Sequence, residues 1–112
     1  MYGNGLTKRD YTYIDDVILG IKLSCDYMIK NKNVYEILNI GSNNPISLKD
    51  MIDTISNQLG IEAKIKQLPM QAGDVELTYA DISKANNLIG YKPNITFEEG
   101  ISKFITWYKN NE

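Results

Sequence analysis

The sequence predicts a small α/β chain of about four helices joined by short strands. Four segments carry apolar residues at spacings of three and four, which is the period of a helix with one buried face. Between them lie short runs that alternate apolar with polar residues, or that collect β-branched residues, as strands do. No internal repeat or linker divides the 112 residues, so we expect a single domain.

Composition excludes several classes of function. The net charge is -2 without a long basic run, which argues against a nucleic-acid partner. The chain has no histidine, so a Ser-His or Cys-His pair is excluded and a zinc site is not expected. Cys25 is the single cysteine, which excludes an intramolecular disulfide. No apolar signal or membrane-spanning run is present, so we expect a cytoplasmic protein without membrane contact.

The chain opens with a predicted turn at Gly3 and Gly5, followed by a short strand over residues 8–14. Arg9 lies beside this turn, where its guanidinium could hold a phosphate through two hydrogen bonds. The plainer alternative is a surface arginine that pairs with a nearby carboxylate such as Asp10.

The first helix is expected to begin at Asp15 and Asp16, whose carboxylates would cap free N–H groups. Adjacent side chains point apart and no third ligand is in view, so capping explains these acids better than a metal site does. Gly20 would let another element approach this helix closely. An apolar stripe follows at helical spacing: Ile18, Ile21, Cys25, Met28 and Ile29. We therefore expect Cys25 to be a buried structural thiol.

Residues 34–40 form the most apolar of the predicted strands. Their nearly continuous apolar character suits a strand buried on both faces, as in a parallel sheet covered by helices. Such a strand needs neighbouring strands, and this chain offers few of the right kind.

The second helix is predicted to start at a capping-box-like pair, Ser47 and Asp50, and to stop at Gly60. Its apolar stripe is expected to be buried. Residues 63–67 then alternate in the manner of a half-exposed strand.

The last two helices have equally clear boundaries in the sequence. Asp81 is expected to cap a short helix that closes at Gly90, and Thr96 with Glu99 forms a capping box for the final helix. The final helix carries an aromatic stripe, which is far more often part of a core than of a ligand site. Its members are Phe97, Phe104 and Tyr108, with Trp107 beside them.

A polar turn interrupts residues 68–81, between the half-exposed strand and the third helix. Gly73 permits a positive φ, Asp74 projects a carboxylate from the bend, and Gln71 adds an amide nearby. A carboxylate on a tight loop can accept hydrogen bonds from two adjacent hydroxyls, as on a ribose. The plainer alternative is a turn that joins two elements, with glycine and aspartate present for turn chemistry.

Taken together, four pieces of the sequence resemble the C-terminal third of the extended short-chain dehydrogenase/reductase group, the NAD-dependent nucleotide-sugar epimerases and dehydratases. The order and spacing of the pieces cover essentially the whole chain, and the variant around Gln71 is most similar to UDP-glucuronate 4-epimerases. The pieces are Gly3 with Gly5 and residues 8–16, Asn39 with Gly41, residues 69–81, and Gly90, Pro93, Glu99, Gly100, Trp107 and Tyr108.

The resemblance implies a UDP-sugar site. Arg9 would contact the diphosphate with Tyr11 nearby, and Asp74 would accept hydrogen bonds from the ribose hydroxyls. Gln71 stands where many relatives carry an arginine to the phosphates, although glutamine is usual in the glucuronate epimerase branch. Asn39 and Gly41 are expected to serve the strand end and not the ligand.

Catalysis in that family depends on an N-terminal NAD-binding domain with a glycine-rich loop and a Tyr-x-x-x-Lys pair. Neither occurs here: Gly3 and Gly5 are not followed by a third glycine and an apolar helix, and Tyr11 and Tyr27 are followed four positions later by an acid and an amide. We expect this chain to bind no NAD, to contain no catalytic residue and to have no epimerase activity on its own.

Three interpretations therefore stay open. The chain is a substrate-binding piece of a longer epimerase, a standalone binding or interaction module, or a subunit that a separate dinucleotide-binding chain completes in trans. Residues 34–40 favour the first interpretation, because such a strand normally joins a sheet supplied by the missing domain. An exposed strand edge and apolar face also predict association into a homo-oligomer.

Overall fold

A computed structural model describes residues 1–111, which fold into four helices and one two-stranded sheet. Strand β1 pairs antiparallel with β2, with Lys8 opposite Ser47 and Arg9 opposite Ile46. The predicted fold class, α/β with about four helices and short strands, is confirmed. The elements in chain order are β1 (Lys8–Arg9), α1 (Ile14–Lys30), β2 (Ile46–Ser47), α2 (Leu48–Leu59), α3 (Ser83–Ile89) and α4 (Phe97–Asn110).

Most helix ends lie where the local sequence places them. The Ser47 hydroxyl accepts a hydrogen bond from the Asp50 amide at the start of α2, and Thr96 forms a full capping box with Glu99 at the start of α4. Helices α2 and α3 end at Gly60 and Gly90, both in the left-handed conformation that glycine adopts without a Cβ clash. These predictions are confirmed, because each depends only on a few neighbouring residues.

Helix α1 begins differently from the prediction. Tyr13 occupies its N-cap without a side-chain hydrogen bond. Asp16 is buried, and its carboxylate accepts hydrogen bonds from the Asn94 amide at 2.9 Å and the Ile95 amide at 3.1 Å. The prediction that Asp16 caps α1 is therefore wrong. Its carboxylate instead ties α1 to the segment that leads into α4.

The helices pack in two pairs, α1 against α3 and α2 against α4. Ile40 lies directly on Gly20, where an added Cβ would come within 2.8 Å of the isoleucine side chain, so the predicted close approach at Gly20 is confirmed. Ala85 and Tyr91 are fully buried and form the centre of a small core.

This core leaves the chain unusually open. The radius of gyration is 17.1 Å, against about 13 Å for a compact domain of this length. The accessible surface is 8245 Å², where a compact monomer of the same mass exposes about 6,200 Å². The structure therefore presents surface that a self-contained domain of this size would bury. Within residues 1–111, no helix is long and apolar enough to cross a membrane.

Helices α1, α2 and α4 expose apolar residues that the sequence places in a core. On α1, Ile18 and Ile21 are more than half exposed, and Cys25 is exposed, so its prediction as a buried thiol is wrong. The α2 stripe is half-buried at most. On α4, the predicted core stripe is also wrong for its later residues. The exposed aromatic residues are Phe104, Trp107 and Tyr108.

The predicted strands are mostly absent from the described part of the chain. Residues 34–40 form no strand, and Tyr35 and Ile37 are 89% and 75% exposed, so the prediction of a buried parallel strand is wrong here. The predicted strand over residues 8–14 shortens to β1, and residues 63–67 form none. A strand requires a neighbour within hydrogen-bonding distance, and residues 1–111 supply none to residues 34–40.

The buried Asp16 carboxylate gives a direct test of this packing. We expect Asp16→Ala to lower the free energy of unfolding by about 2 kcal/mol, because the Asn94 and Ile95 amides would lose their acceptor inside the protein. Urea unfolding measures the loss. Asp15→Ala is the matched control, since Asp15 is exposed and only 3.8 Å from Lys103, and it should cost far less. Equal effects of the two changes would contradict the role assigned to Asp16.

Candidate functional site

An ion pair joins two of the residues that the sequence singles out, although they lie 65 positions apart. Arg9 Nη2 donates to Asp74 Oδ1 at 2.5 Å, and Arg9 Nη1 donates to the Lys8 carbonyl at 2.7 Å. Both side chains are partly exposed, at 27% and 35% of their surface. The two charges therefore meet at the surface, where a ligand can reach them. The plainer alternative, a surface arginine that pairs with a carboxylate, is therefore present in the structure, although the partner is Asp74 and not Asp10.

The backbone of Lys8 brings the two residues together. On one edge Lys8 pairs with β2, and on the other the Lys8 amide donates to the Glu76 carbonyl at 2.8 Å. The Thr78 amide in turn donates to the Lys8 carbonyl at 3.1 Å. The segment that follows Asp74 thus runs parallel to β1, which places Asp74 beside Arg9.

The polar turn has the shape that its sequence predicts. Gly73 has a φ of +82°, and the Asp74 amide donates to the Gln71 carbonyl at 3.3 Å. The Asp74 carboxylate also accepts from the Val75 amide at 3.0 Å, which orients it toward Arg9. Gln71 is exposed at the start of this turn. The turn therefore holds the carboxylate in place while leaving it accessible.

Tyr11 is held by a different contact. Its ring packs against Phe97 at the start of α4, with ring centroids 5.6 Å apart. It also lines an apolar groove of 260 Å³ whose walls include Tyr13, Ile95 and Phe104. The structure thus brings Arg9 and Asp74 into contact, places Gln71 on the same turn, and seats Tyr11 against α4.

A larger cleft, of 840 Å³, opens between the N-terminal turn and residues 67–70. The Gly3 amide donates to the Leu68 carbonyl at 2.9 Å, which closes the base of the cleft. A Cβ at Gly3 would lie 2.9 Å from Met70 Sδ, so glycine is needed here for both its positive φ and its small size. Clefts of this volume hold small molecules in other proteins. The sequence analysis identified the glycine turn but missed Met70 and the cleft wall.

Asp10 forms the densest polar cluster of the region, and the sequence analysis assigned it no such role. Its carboxylate accepts hydrogen bonds from the Ser42 amide at 2.9 Å, the Asn43 amide at 3.1 Å and the Ala80 amide at 3.1 Å, and from the Ser42 hydroxyl. Nothing in the local sequence predicts this cluster, because its donors lie 32 to 70 positions away.

The hydrogen bonds around Asp10 change its acidity. Burial opposes ionisation of this carboxyl, but the hydrogen bonds from Ser42, Ala80 and Asn43 outweigh burial and lower its pKa from the ordinary 3.8. The pKa of Tyr91 is raised, first by burial and then by the negative charges of Asp16 and Asp10. Tyr91 is thus a neutral donor, and its hydroxyl binds the Gly41 carbonyl at 2.9 Å.

Asn39 and Gly41, which the sequence places at the end of a predicted strand, also lie in this cluster. The Asn39 side chain donates to the Asp81 carbonyl at 3.3 Å. Gly41 is buried where a Cβ would come within 2.8 Å of the Asp10 carboxylate. Both residues thus hold neighbouring backbone segments together.

No helix within residues 1–111 starts from a glycine-rich turn of the kind that often holds a dinucleotide. Helices α1 to α4 start from Tyr13, Ser47, Ile82 and Thr96. No group of three or more acidic or cysteine side chains within residues 1–111 could hold a metal. These residues offer two opposite charges and a cleft, which suit binding.

Known proteins resemble this chain throughout its length. The family model described as GDP-mannose 4,6 dehydratase matches residues 1–104. The uncharacterized protein MJ1055 of Methanocaldococcus jannaschii is 46% identical over 112 residues, all of this chain and 33% of that protein. The UDP-glucuronate 4-epimerase of Thermodesulfobacterium geofontis is 38% identical over 112 residues, 99% of this chain and 33% of that protein.

Solved structures agree with these relatives. The UDP-glucuronic acid 4-epimerase from Bacillus cereus, in complex with UDP-glucuronic acid and NAD, superposes with a TM-score of 0.89 at 31% identity over 100% of this chain. The UDP-glucose 4-epimerase from Thermotoga maritima, with UDP-glucose, gives a TM-score of 0.87 at 26% identity over 99% of this chain. Only 35% and 34% of those two chains are covered, so this chain spans about a third of the length of its relatives.

The lowered pKa of Asp10 predicts acid sensitivity. A carboxyl with a lower pKa in the folded than in the unfolded state adds stability above about pH 5, and that stability is lost as the pH falls through the folded-state pKa. We expect Asp10→Asn to be less stable than the wild type near neutral pH, with the difference narrowing below pH 3.8. Urea unfolding at a series of pH values measures the difference.

The difference in stability between the wild type and Asp10→Asn does not contain the contribution of the other carboxyls, because both proteins carry them. The pKa of Glu99 is lowered by its hydrogen bonds from Thr96, and it titrates alike in both proteins. A difference in stability that is the same at acidic and neutral pH would contradict the role of the ionised Asp10.

Proposed function

Because the chain belongs to the GDP-mannose 4,6-dehydratase family, the nucleotide-sugar epimerases and dehydratases of the extended short-chain dehydrogenase/reductase group, we propose that it is the UDP-sugar-binding part of an NAD-dependent epimerase. In this proposal residues 1–112 are the C-terminal nucleotide-sugar-binding domain, and the NAD-binding domain lies outside them. The sugar is of the UDP-glucuronate or UDP-glucose type. The chain alone binds and does not catalyse.

The observation that carries this proposal is the contact of Arg9 with Asp74. A UDP-sugar presents a diphosphate and, on the ribose that carries it, a pair of adjacent hydroxyls. A guanidinium matches the diphosphate and a carboxylate matches the diol. The two charges lie 2.5 Å apart, so one nucleotide could engage both at once. The relatives from Bacillus cereus and Thermotoga maritima were solved with UDP-sugars, which supports this ligand class.

Other residues have secondary roles in the proposal. Gln71 lies on the same turn as Asp74 and would offer its amide to a phosphate oxygen. Tyr11 would contact the ligand beside Arg9 while its ring stays on Phe97. The cleft next to Gly3 and Met70 would take the remaining part of the nucleotide.

The proposal also accounts for the open surface of the chain. The exposed isoleucines of α1 and the unpaired residues 34–40 leave apolar side chains uncovered. We propose that an NAD-binding domain covers them in the whole protein, within one polypeptide or from a second one. In the absence of that domain, we propose that two copies of the chain cover each other.

Nucleotide titration tests the site. We expect the 112-residue chain to bind UDP and UDP-glucuronate with measurable heat, and Asp74→Ala to weaken both at least tenfold, because a hydrogen bond to a charged group contributes about 1.5 kcal/mol or more. Asp53→Ala is the control, since Asp53 is an exposed acid on α2 and removes the same charge. No heat at millimolar UDP, or equal losses in the two variants, would exclude the proposed site.

Light scattering after size exclusion tests the apolar surface. We expect the wild-type chain to elute as an oligomer, and Ile21→Lys combined with Ile37→Lys to shift it toward the monomer, because two charges would enter the shared surface. Ile61→Lys is the control, as Ile61 is 63% exposed at the far end of α2. A wild-type chain that elutes only as a monomer would rule out self-association.

A further inference from the structure

We propose that Asp10 is a positioning residue, which fixes the distance between the Arg9 guanidinium and the Asp74 carboxylate without contacting the nucleotide. This inference rests on the proposed function, because it concerns the same site. It assigns a role to a side chain that faces away from the ion pair.

Asp10 is connected to both partners of the pair. It follows Arg9 directly in the chain, and neighbouring residues of an extended segment point to opposite sides. While the Arg9 side chain reaches Asp74, the Asp10 carboxylate accepts from the Ala80 amide at 3.1 Å, six positions after Asp74. One side chain therefore links the strand that carries the guanidinium to the segment that carries the carboxylate.

The same carboxylate is also anchored to residues 41–43. It accepts from the amides of Ser42 and Asn43 and from the Ser42 hydroxyl. Gly41 is packed so closely that a Cβ would lie 2.6 Å from the Ala80 Cβ. The Gly41 carbonyl is in turn held by the hydroxyl of Tyr91, which is fully buried. Asp10 therefore links this closely packed segment to both segments of the site.

The donors around Asp10 require an ionised carboxylate. Its two oxygens accept hydrogen bonds from three amides and one hydroxyl. An asparagine would turn one N–H group toward these donors and lose part of the set. Asp10→Asn therefore keeps the size of the side chain while loosening the link between the two segments.

Three ligands distinguish positioning from general destabilisation. UDP would engage Arg9 and Asp74 together, uridine would engage Asp74 through its ribose, and inorganic pyrophosphate would engage Arg9. A change in the distance between the two groups affects only the ligand that bridges both of them. We expect Asp10→Asn to weaken UDP binding at least tenfold and to change uridine and pyrophosphate binding less than twofold, measured by NMR titration.

Asp16→Asn is the matched control. Asp16 is a buried carboxylate that, like Asp10, accepts hydrogen bonds from backbone amides, but its partners lie next to α4 and away from the ion pair. We expect the Asp16→Asn variant to have a lower free energy of unfolding and a UDP affinity within twofold of the wild type. An equal loss of affinity for all three ligands in Asp10→Asn, or an unchanged affinity for UDP, would overturn the inference.

If Asp10→Asn does not fold, Ser42→Ala provides a milder test. It removes one hydrogen-bond donor to Asp10 and should weaken UDP binding selectively, but by a smaller factor.

A second measurement separates this inference from the proposed function. If the wild-type chain binds no UDP, the proposed function fails, and a double-mutant cycle of Arg9→Met and Asp74→Asn then decides the role of Asp10. For a positioned pair we expect a coupling of about two- to fivefold in the unfolding equilibrium constant. The same cycle in the Asp10→Asn background should give a coupling near one. An unchanged coupling would overturn the inference.

Discussion

The backbone of Lys8, hydrogen-bonded along both of its edges, is the constraint on which the site depends. One edge pairs with β2, and the other receives residues 76–78. A strand of two residues is too short to be stable alone. Its position is therefore set by the helix that follows β2 and by the loop that carries Asp74. Because these elements meet at Lys8, the side chains of Arg9 and Asp74 come into contact although they lie 65 positions apart in the sequence.

Two carboxylates, the half-buried Asp10 and the buried Asp16, provide the cross-links that the small core does not. Asp10 holds three backbone amides and Asp16 holds two. Buried apolar side chains do the same work in a larger domain, but here the fully buried ones are Ala85 and Tyr91. In such a chain, backbone segments are fixed in place by directional hydrogen bonds, whose distances are well defined. This suits a site whose two charges must keep a fixed separation.

The sequence predicted the features that arise within a few residues. The capping box of Thr96, the stops at Gly60 and Gly90 and the bend at Gly73 are all present, since each depends on local backbone chemistry. It also singled out Arg9 and Asp74, through the family motifs. It did not predict their contact or the Asp10 cluster, because the partners come from distant segments. The errors at Cys25 and residues 34–40 share another cause: apolar patterns mark side chains that tend to be buried, and the described residues leave these side chains exposed.

The exposed polar groups and the exposed apolar residues of this chain suit different contacts. The guanidinium of Arg9 and the carboxylate of Asp74 can form hydrogen bonds with a polar ligand, and the two side chains pair with each other at 2.5 Å. Tyr91, whose raised pKa keeps it neutral, is occupied with the Gly41 carbonyl. The described residues thus combine a partly exposed ion pair with apolar side chains of α1 and residues 34–40 that the described part of the chain leaves uncovered.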